Sequence, residues 1–186
     1  MTRGGVHLVA ITALAIRWVH LLVMARGCDR IVSPARYGVP EWPTIVLGCC
    51  YLAALALWLW EISAEWTAAA GACDFATLAL VLPGVALRIA GQQALGRSFS
   101  WGSGAPGPSA VLSTTGIYRC LKHPLLLGYG LECSGMLAAV SGMVDARMAV
   151  AALLTGSLVV QAGREERGLL ARFGTEWTEY AKGKLL

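Results

Sequence analysis

The chain has 186 residues, 56% of them hydrophobic and only 14% charged, with a net charge of +4 and a mean hydropathy of +0.61. Soluble domains carry roughly 25% charged residues, so this composition excludes an ordinary soluble fold and predicts a single-domain, all-α, polytopic membrane protein. The six cysteines (Cys28, Cys49, Cys50, Cys73, Cys120, Cys133) form no C-x-x-C pair and no ligand spacing with histidine. They read as small apolar fillers, and neither a metal site nor a nucleic-acid partner is expected.

Residues 6–25 form the first apolar run, close to the ~20 residues a bilayer needs. A signal peptide is the rival reading. Arg17 and His20 interrupt the run and no small-residue cleavage site follows, so a retained span is expected. Residues 26–42 are a polar loop with Pro34, Gly38 and Pro40. The second span, 43–62, ends in Trp58, Trp60 and Glu61, and Trp66 continues what reads as an interfacial tryptophan belt. The third span, 75–94, contains Pro83, a candidate kink. Residues 95–122 form a long glycine- and proline-rich loop, and long loops of this kind are often functional. The fourth and fifth spans are expected at 123–144 and 148–163, the latter running on into a tail over 164–186. In the tail Leu169, Phe173, Trp177 and Tyr180 share a helical face opposite Arg172, Glu176 and Glu179. That pattern predicts an amphipathic helix, on the membrane surface or capping the bundle, with Gly174 as a possible break.

Five spans put the termini on opposite sides. Arg26, Arg30, Arg36, Arg88, Arg97, Arg119, Lys122, Arg164, Arg167, Arg172, Lys182 and Lys184 then fall on one side, against Arg3 and Arg147 on the other. The positive-inside rule places the tail in the cytoplasm and the N-terminus opposite.

Two polar clusters stand out. Residues 116–128 read GIYRCLKHPLLLG, a polar hinge whose Pro124 suits the first turn of a helix. Arg164, Glu165, Glu166 and Arg167 close the next apolar run. Clusters at matching ends of successive helices can meet. Together they offer backbone N–H groups, an aromatic ring, cations and carboxylates. A ligand with a carboxylate, an ammonium or sulfonium and a flat base, such as S-adenosylmethionine, would find partners there. The Gly102-Ser103-Gly104 stretch follows no strand, so a dinucleotide fingerprint is rejected.

Gly116, Tyr118, Lys122-His123-Pro124 and Gly128, then Glu165-Glu166, Leu169, Phe173-Gly174, Trp177 and Tyr180, occur in an order that resembles a known family. These are the integral-membrane methyltransferases that include isoprenylcysteine carboxyl methyltransferase and the phospholipid methyltransferases. Leu87-Arg88, Leu95-Gly96 and Phe99 resemble it too, so the likeness covers roughly residues 85–180. Three features depart from the pattern: Lys122 in place of arginine, Leu126 in place of tyrosine, and a sequence that stops at Leu186 soon after the last aromatic. The resemblance implies S-adenosylmethionine held near the cytoplasmic face by Gly116, Tyr118, His123, Pro124, Gly128, Glu165 and Glu166. It implies methyl transfer to a membrane-embedded amphiphile, carboxyl O-methylation of an isoprenylcysteine-type substrate first among the options. A carboxylate acceptor needs a cation to place it, and Arg88, Arg97 and Lys122 are the candidate catalytic residues. The alternatives are N- or S-methylation of a phospholipid or other lipid, and a non-catalytic protein whose basic loops bind anionic lipid heads.

Two charges fall deep within spans. Arg17 lies eight residues from the inner end of the first, and Glu132 nine from that of the fourth. Both are roughly 12–14 Å deep. Charges at such depth face the bundle interior and pair, which predicts an Arg17–Glu132 pair.

Overall fold

Long apolar stretches without clustered glycine or proline leave the backbone one way to satisfy its N–H and C=O groups in lipid, the helix. A computed structural model describes residues 1–26, 42–96, 111–141 and 143–185. It contains helices α1 (Arg3–Arg26), α2 (Trp42–Ala64), α3 (Ala72–Leu95), α4 (Pro124–Ala138), α5 (Val144–Phe173) and α6 (Thr175–Ala181), with a 3-10 turn at Gly116–Arg119 and no strand among the described residues. Four of them, α1, α2, α3 and α5, are long and apolar enough to cross a membrane. Their outer faces carry Leu8, Ile16, Leu22, Leu52, Leu82 and Val159, all exposed. Arg17, Gln92 and Glu132 are buried inside. Apolar outside and charged inside is the arrangement of an integral membrane protein.

Contacts at the helix ends give the directions. Arg3 and Gly4 at the start of α1 donate backbone N–H groups to Ala68 and Trp66, beyond the end of α2. Arg3 also binds Asp74 at the start of α3, and its Nη2 donates to the carbonyl of Ala139 at the end of α4. The opposite pole gathers the 3-10 turn, the start of α4 and the end of α5. Helices α1 to α5 therefore alternate in direction. The most extensive packing joins α3 to α4, with α1 against α3 and α2 against α5.

The sequence expectation for the fourth span ran over 123–144, but α4 is a helix of 15 residues, roughly 22 Å long. Its end is held early. The carbonyl of Ala139 accepts from Arg3, and that of Val140 from Arg147, both cations suited to a helix C-terminus. In the other direction α5 is one unbroken helix of 30 residues, so the start of the expected tail belongs to it. The break falls at Gly174, whose φ of +55° is one L side chains rarely adopt. Before it Leu169 and Phe173 are half-buried, and beyond it Trp177 is buried and Tyr180 half-buried, so the tail's aromatic face packs on the bundle.

Trp58 corrects the tryptophan belt. Trp60 and Trp66 are exposed, but Trp58 is fully buried and its Nε1 donates to His7 Nδ1 at 3.1 Å. An indole can only donate, so Nδ1 must accept. The proton is then on Nε2, which donates to Asp74 Oδ1 at 2.8 Å. Arg3 Nε donates to the same oxygen at 2.8 Å. The sequence reading used Arg3 only as a topology signal. The available hint was Arg3 and His7 one turn apart, with Asp74 in the first turn of a later helix.

Where α3 meets α4, side chains are absent by necessity. A Cβ on Gly84 would lie 2.7 Å from the Gly128 carbonyl oxygen, and one on Gly128 would lie 2.6 Å from the Gly84 oxygen. Both obstacles are backbone and cannot swing aside. Gly84→Ala and Gly128→Ala are each expected to destabilise by about 1–3 kcal/mol. Gly156, with nothing within 4 Å of its added Cβ, tolerates alanine to within about 0.5 kcal/mol. Thermal unfolding in detergent compares the three, and equal effects would refute the packing account.

Candidate functional site

Pro124 starts α4 because its missing N–H needs no partner in a first turn. It packs on the α3 backbone, its Cγ 3.5 Å from where a Gly91 Cβ would be. His123, just before it, is thereby pinned at the pole and buried. The imidazole faces both glutamates of α5: Nδ1 is 3.2 Å from Glu165 Oε2, and Nε2 is 3.4 Å from Glu166 Oε1. A neutral ring donates to only one of the two carboxylates at a time. Lys122 Nζ donates to Glu166 Oε1 at 2.8 Å. Gln161, one helical turn before Glu165, donates to its Oε1 at 3.2 Å. The two motifs, far apart in sequence, thus form one hydrogen-bonded cluster.

The tail seals one side of that cluster. The Trp177 ring is 6.5 Å from His123 and 5.4 Å from Tyr180. Tyr180 OH donates to the Tyr118 carbonyl at 2.7 Å, fixing α6 on the 3-10 turn. Lys122 N–H donates to the Leu185 carbonyl, and Leu185 N–H to that of Cys120. Burial, with the Glu165 carboxylate adding, pushes the Tyr118 hydroxyl up from its ordinary value, and burial does the same to Tyr180. Both stay neutral donors at physiological pH. Gly116 opens the turn at φ +58° against Ala94, a conformation that selects glycine.

An open cleft of about 460 Å³ lies beside the cluster, lined by Glu166, Arg167, Leu170, Trp177 and Lys182 among others. That volume falls within the usual range for small-molecule sites. The sequence reading placed Arg167 in the same polar cluster as Glu166 but missed Lys182 and Gln161 as neighbours. Helical spacing from the di-glutamate, one turn back for Gln161, was the available signal.

The expected site residues divide by position. His123, Glu165, Glu166 and Lys122 come together, with Tyr118 close by. Gly128 sits deeper, where a Cβ would strike the Gly84 oxygen and Arg88 Cγ, so close packing alone demands glycine there. Leu126 packs against the core. Arg97 lies outside the described residues. Arg88 is in the bundle interior, where its Nη1 donates to Glu132 Oε2 at 2.9 Å. Arg17 Nε lies 3.4 Å from Glu132 Oε1. The pair expected from depth is present, but Glu132 is shared, and Arg88 is the closer partner. Tyr129 stacks on Arg88, the guanidinium carbon 5.0 Å from its ring centre, and its hydroxyl donates to the Leu47 carbonyl. His20, a turn beyond Arg17, meets Gln92 at 3.1 Å.

Comparison with protein-family models, with curated proteins and with solved structures finds no match for this chain.

Removing one partner of a buried ion pair strands the other, at about 3–5 kcal/mol. Glu132 keeps Arg17 as a second cation, so Arg88→Met should cost less, about 1.5–3 kcal/mol for the lost charge-assisted bond. Arg17→Met and Glu132→Gln, measured singly and together, should show a coupling of about 0.5–3 kcal/mol. Additive losses in that double-mutant cycle would mean the 3.4 Å contact carries no energy.

Proposed function

We propose that this chain is an S-adenosylmethionine-dependent methyltransferase acting on a membrane-embedded amphiphile, most simply by carboxyl O-methylation of an isoprenylcysteine-type substrate. The observation that carries the reading is the convergence of Lys122 and His123 on Glu165 and Glu166 at one pole. We take α4 as a fifth, short crossing, since its ends reach both poles, with α6 as the capping amphipathic helix. The basic residues then orient the cluster towards the cytoplasm.

The residues present fit the cofactor. Gln161 Oε1 is a buried acceptor without a partner among the described residues, one turn from Glu165. The adjacent cleft has acidic, basic and aromatic walls. Glu165 and Glu166 would accept from the ammonium group, Arg167 and Lys182 would face the carboxylate, and Trp177 would offer a flat face to the base. When bound, the cofactor supplies an electrophilic methyl on sulfonium. The chain's own part is to hold that methyl in line with the acceptor and exclude water, which can supply several kcal/mol of a barrier. Lys122 makes one bond to one carboxylate oxygen, the point-charge geometry of lysine rather than the fork of arginine. Both Lys122 and Arg88 already face glutamates. Either would place an acceptor carboxylate only by sharing. An amine acceptor on a phospholipid would instead lean on Glu165 or Glu166 as proton acceptor.

One observation favours a non-catalytic, lipid-binding role. The glutamates are already occupied by Lys122, His123 and Gln161, as in a purely architectural cluster. Thermal unfolding of the detergent-purified chain separates the readings. S-adenosylmethionine or its demethylated product, at a hundred times its dissociation constant, should stabilise by about 2.7 kcal/mol. His123→Ala and Glu166→Ala should abolish that shift while the protein still folds. Absence of any shift with either ligand would favour lipid binding. With labelled cofactor and a lipid or prenylcysteine acceptor, Lys122→Arg should keep activity, and Lys122→Met should lose about tenfold or more.

A further inference from the structure

The bundle interior holds a charge imbalance. Arg17 from α1 and Arg88 from α3 both face Glu132 from α4, so two cations meet one carboxylate. A guanidinium does not give up its proton in a protein. The other titratable groups around the triad among the described residues are Tyr51 and Cys50 from α2, and Tyr129 and Cys133 from α4. All are neutral in their ordinary forms. His20 on α1 is turned towards Gln92. One positive charge is left over at the depth of the lipid tails, where an uncompensated ion is costly.

The hydrogen bonds show where the deficit sits. Arg88 has a good bond to Glu132. Arg17 is fully buried, yet its Nη1 has no partner among the described residues, and its Nη2 reaches only the Tyr51 hydroxyl at 3.5 Å. Its Nε faces Glu132 at 3.4 Å without hydrogen-bond geometry. Trp18 lies over the guanidinium, its ring centre 4.2 Å from the carbon. The ring attracts the cation but brings no net charge. Trp18 is itself 42% exposed, so its ring lies between the buried guanidinium and the outer surface.

We propose that Arg17, backed by Arg88 and covered by Trp18, binds one monovalent anion inside the helix bundle. A single negative charge neutralises the triad, whereas a divalent anion would reverse the imbalance. The anion comes either from solution, as a halide, or from the bilayer, as the carboxylate of a fatty-acid-type amphiphile whose tail lies along α1. Arg88 is shared with the methyl-transfer reading, but the site lies deeper than the His123 cluster, and its defining residue, Arg17, belongs to α1 and has no part in that reading.

The test uses the full chain in detergent. In one arm chloride replaces sulfate at matched ionic strength. In the other, oleate is titrated in chloride-free buffer. Thermal unfolding is the readout. At least one arm should give a saturable rise in unfolding temperature, and the arm that responds identifies the source. Arg17→Gln should remove the rise. Glu132→Gln deletes the competing carboxylate and should lower the half-saturating concentration by about tenfold or more, an effect that a merely structural role for Glu132 would not produce. No saturable response in the wild-type chain, or a response that survives in Arg17→Gln, overturns the proposal.

Discussion

The Arg88–Glu132 hydrogen bond, 2.9 Å long and inside the bundle, ties α3 to α4 in a setting where water cannot compete. In hydrocarbon the hydrophobic effect does not hold helices together, because lipid tails are as apolar as leucine, so association rests on close packing and interior polar bonds. Both operate at this contact. The missing side chain of Gly128 is what leaves room for the Arg88 stem, which would otherwise meet a Cβ at 2.7 Å. Gly84 opposite lets the α4 backbone approach near Glu132. Arg17 then brings α1 to the same carboxylate. Charge and packing reinforce each other, and three helices are set by one acidic group.

The two poles are built differently. At the N-terminal pole Arg3, His7, Trp58 and Asp74 form a buried network in which the indole donor fixes the imidazole tautomer. Arg3 also closes the end of α4, so the length of that helix is decided at the far side of the bundle from where it starts. At the other pole the bonds join buried His123 to half-buried residues beside an open cleft, and α6 with the final residues covers one flank. The first pole resembles a fixed joint. The second holds half-buried carboxylates with cations nearby and, among the described residues, an acceptor without a partner on Gln161.

That contrast bears on chemistry. A site that presents charge to a ligand must keep its own charges from collapsing onto each other. Here Glu166 is held by Lys122 and His123, while the cleft supplies Arg167 and Lys182 as further cations. Rearrangement of partners, rather than creation of new ones, is what binding at this pole would require. The rigid glycine-packed contact of α3 with α4 gives that rearrangement a fixed base.

Much of the architecture was legible in the sequence, because span hydropathy and helix period are local properties. The alternation of helices and the tail's aromatic face followed from spacing, which also offered Gly174 as a break and a meeting of the two polar clusters, while the family resemblance singled out His123 and the di-glutamate. The Arg17–Glu132 pair followed from spacing too, since depth can be counted along two antiparallel helices. Only the tertiary structure could add Arg88 to that pair. Which neighbour a long side chain reaches depends on the rotation of its helix and on a glycine in the facing one. Only it could move Trp58 from the membrane interface into the interior, because tryptophan suits both places and the choice rests on His7 waiting there. The end of α4 was likewise hidden, since it is set by a guanidinium more than a hundred residues away in sequence. The sequence by itself determined which segments are helical and roughly how deep each charge lies. The packing of those helices decided which charges meet, because pairing is a matter of azimuth and close approach that no single segment encodes.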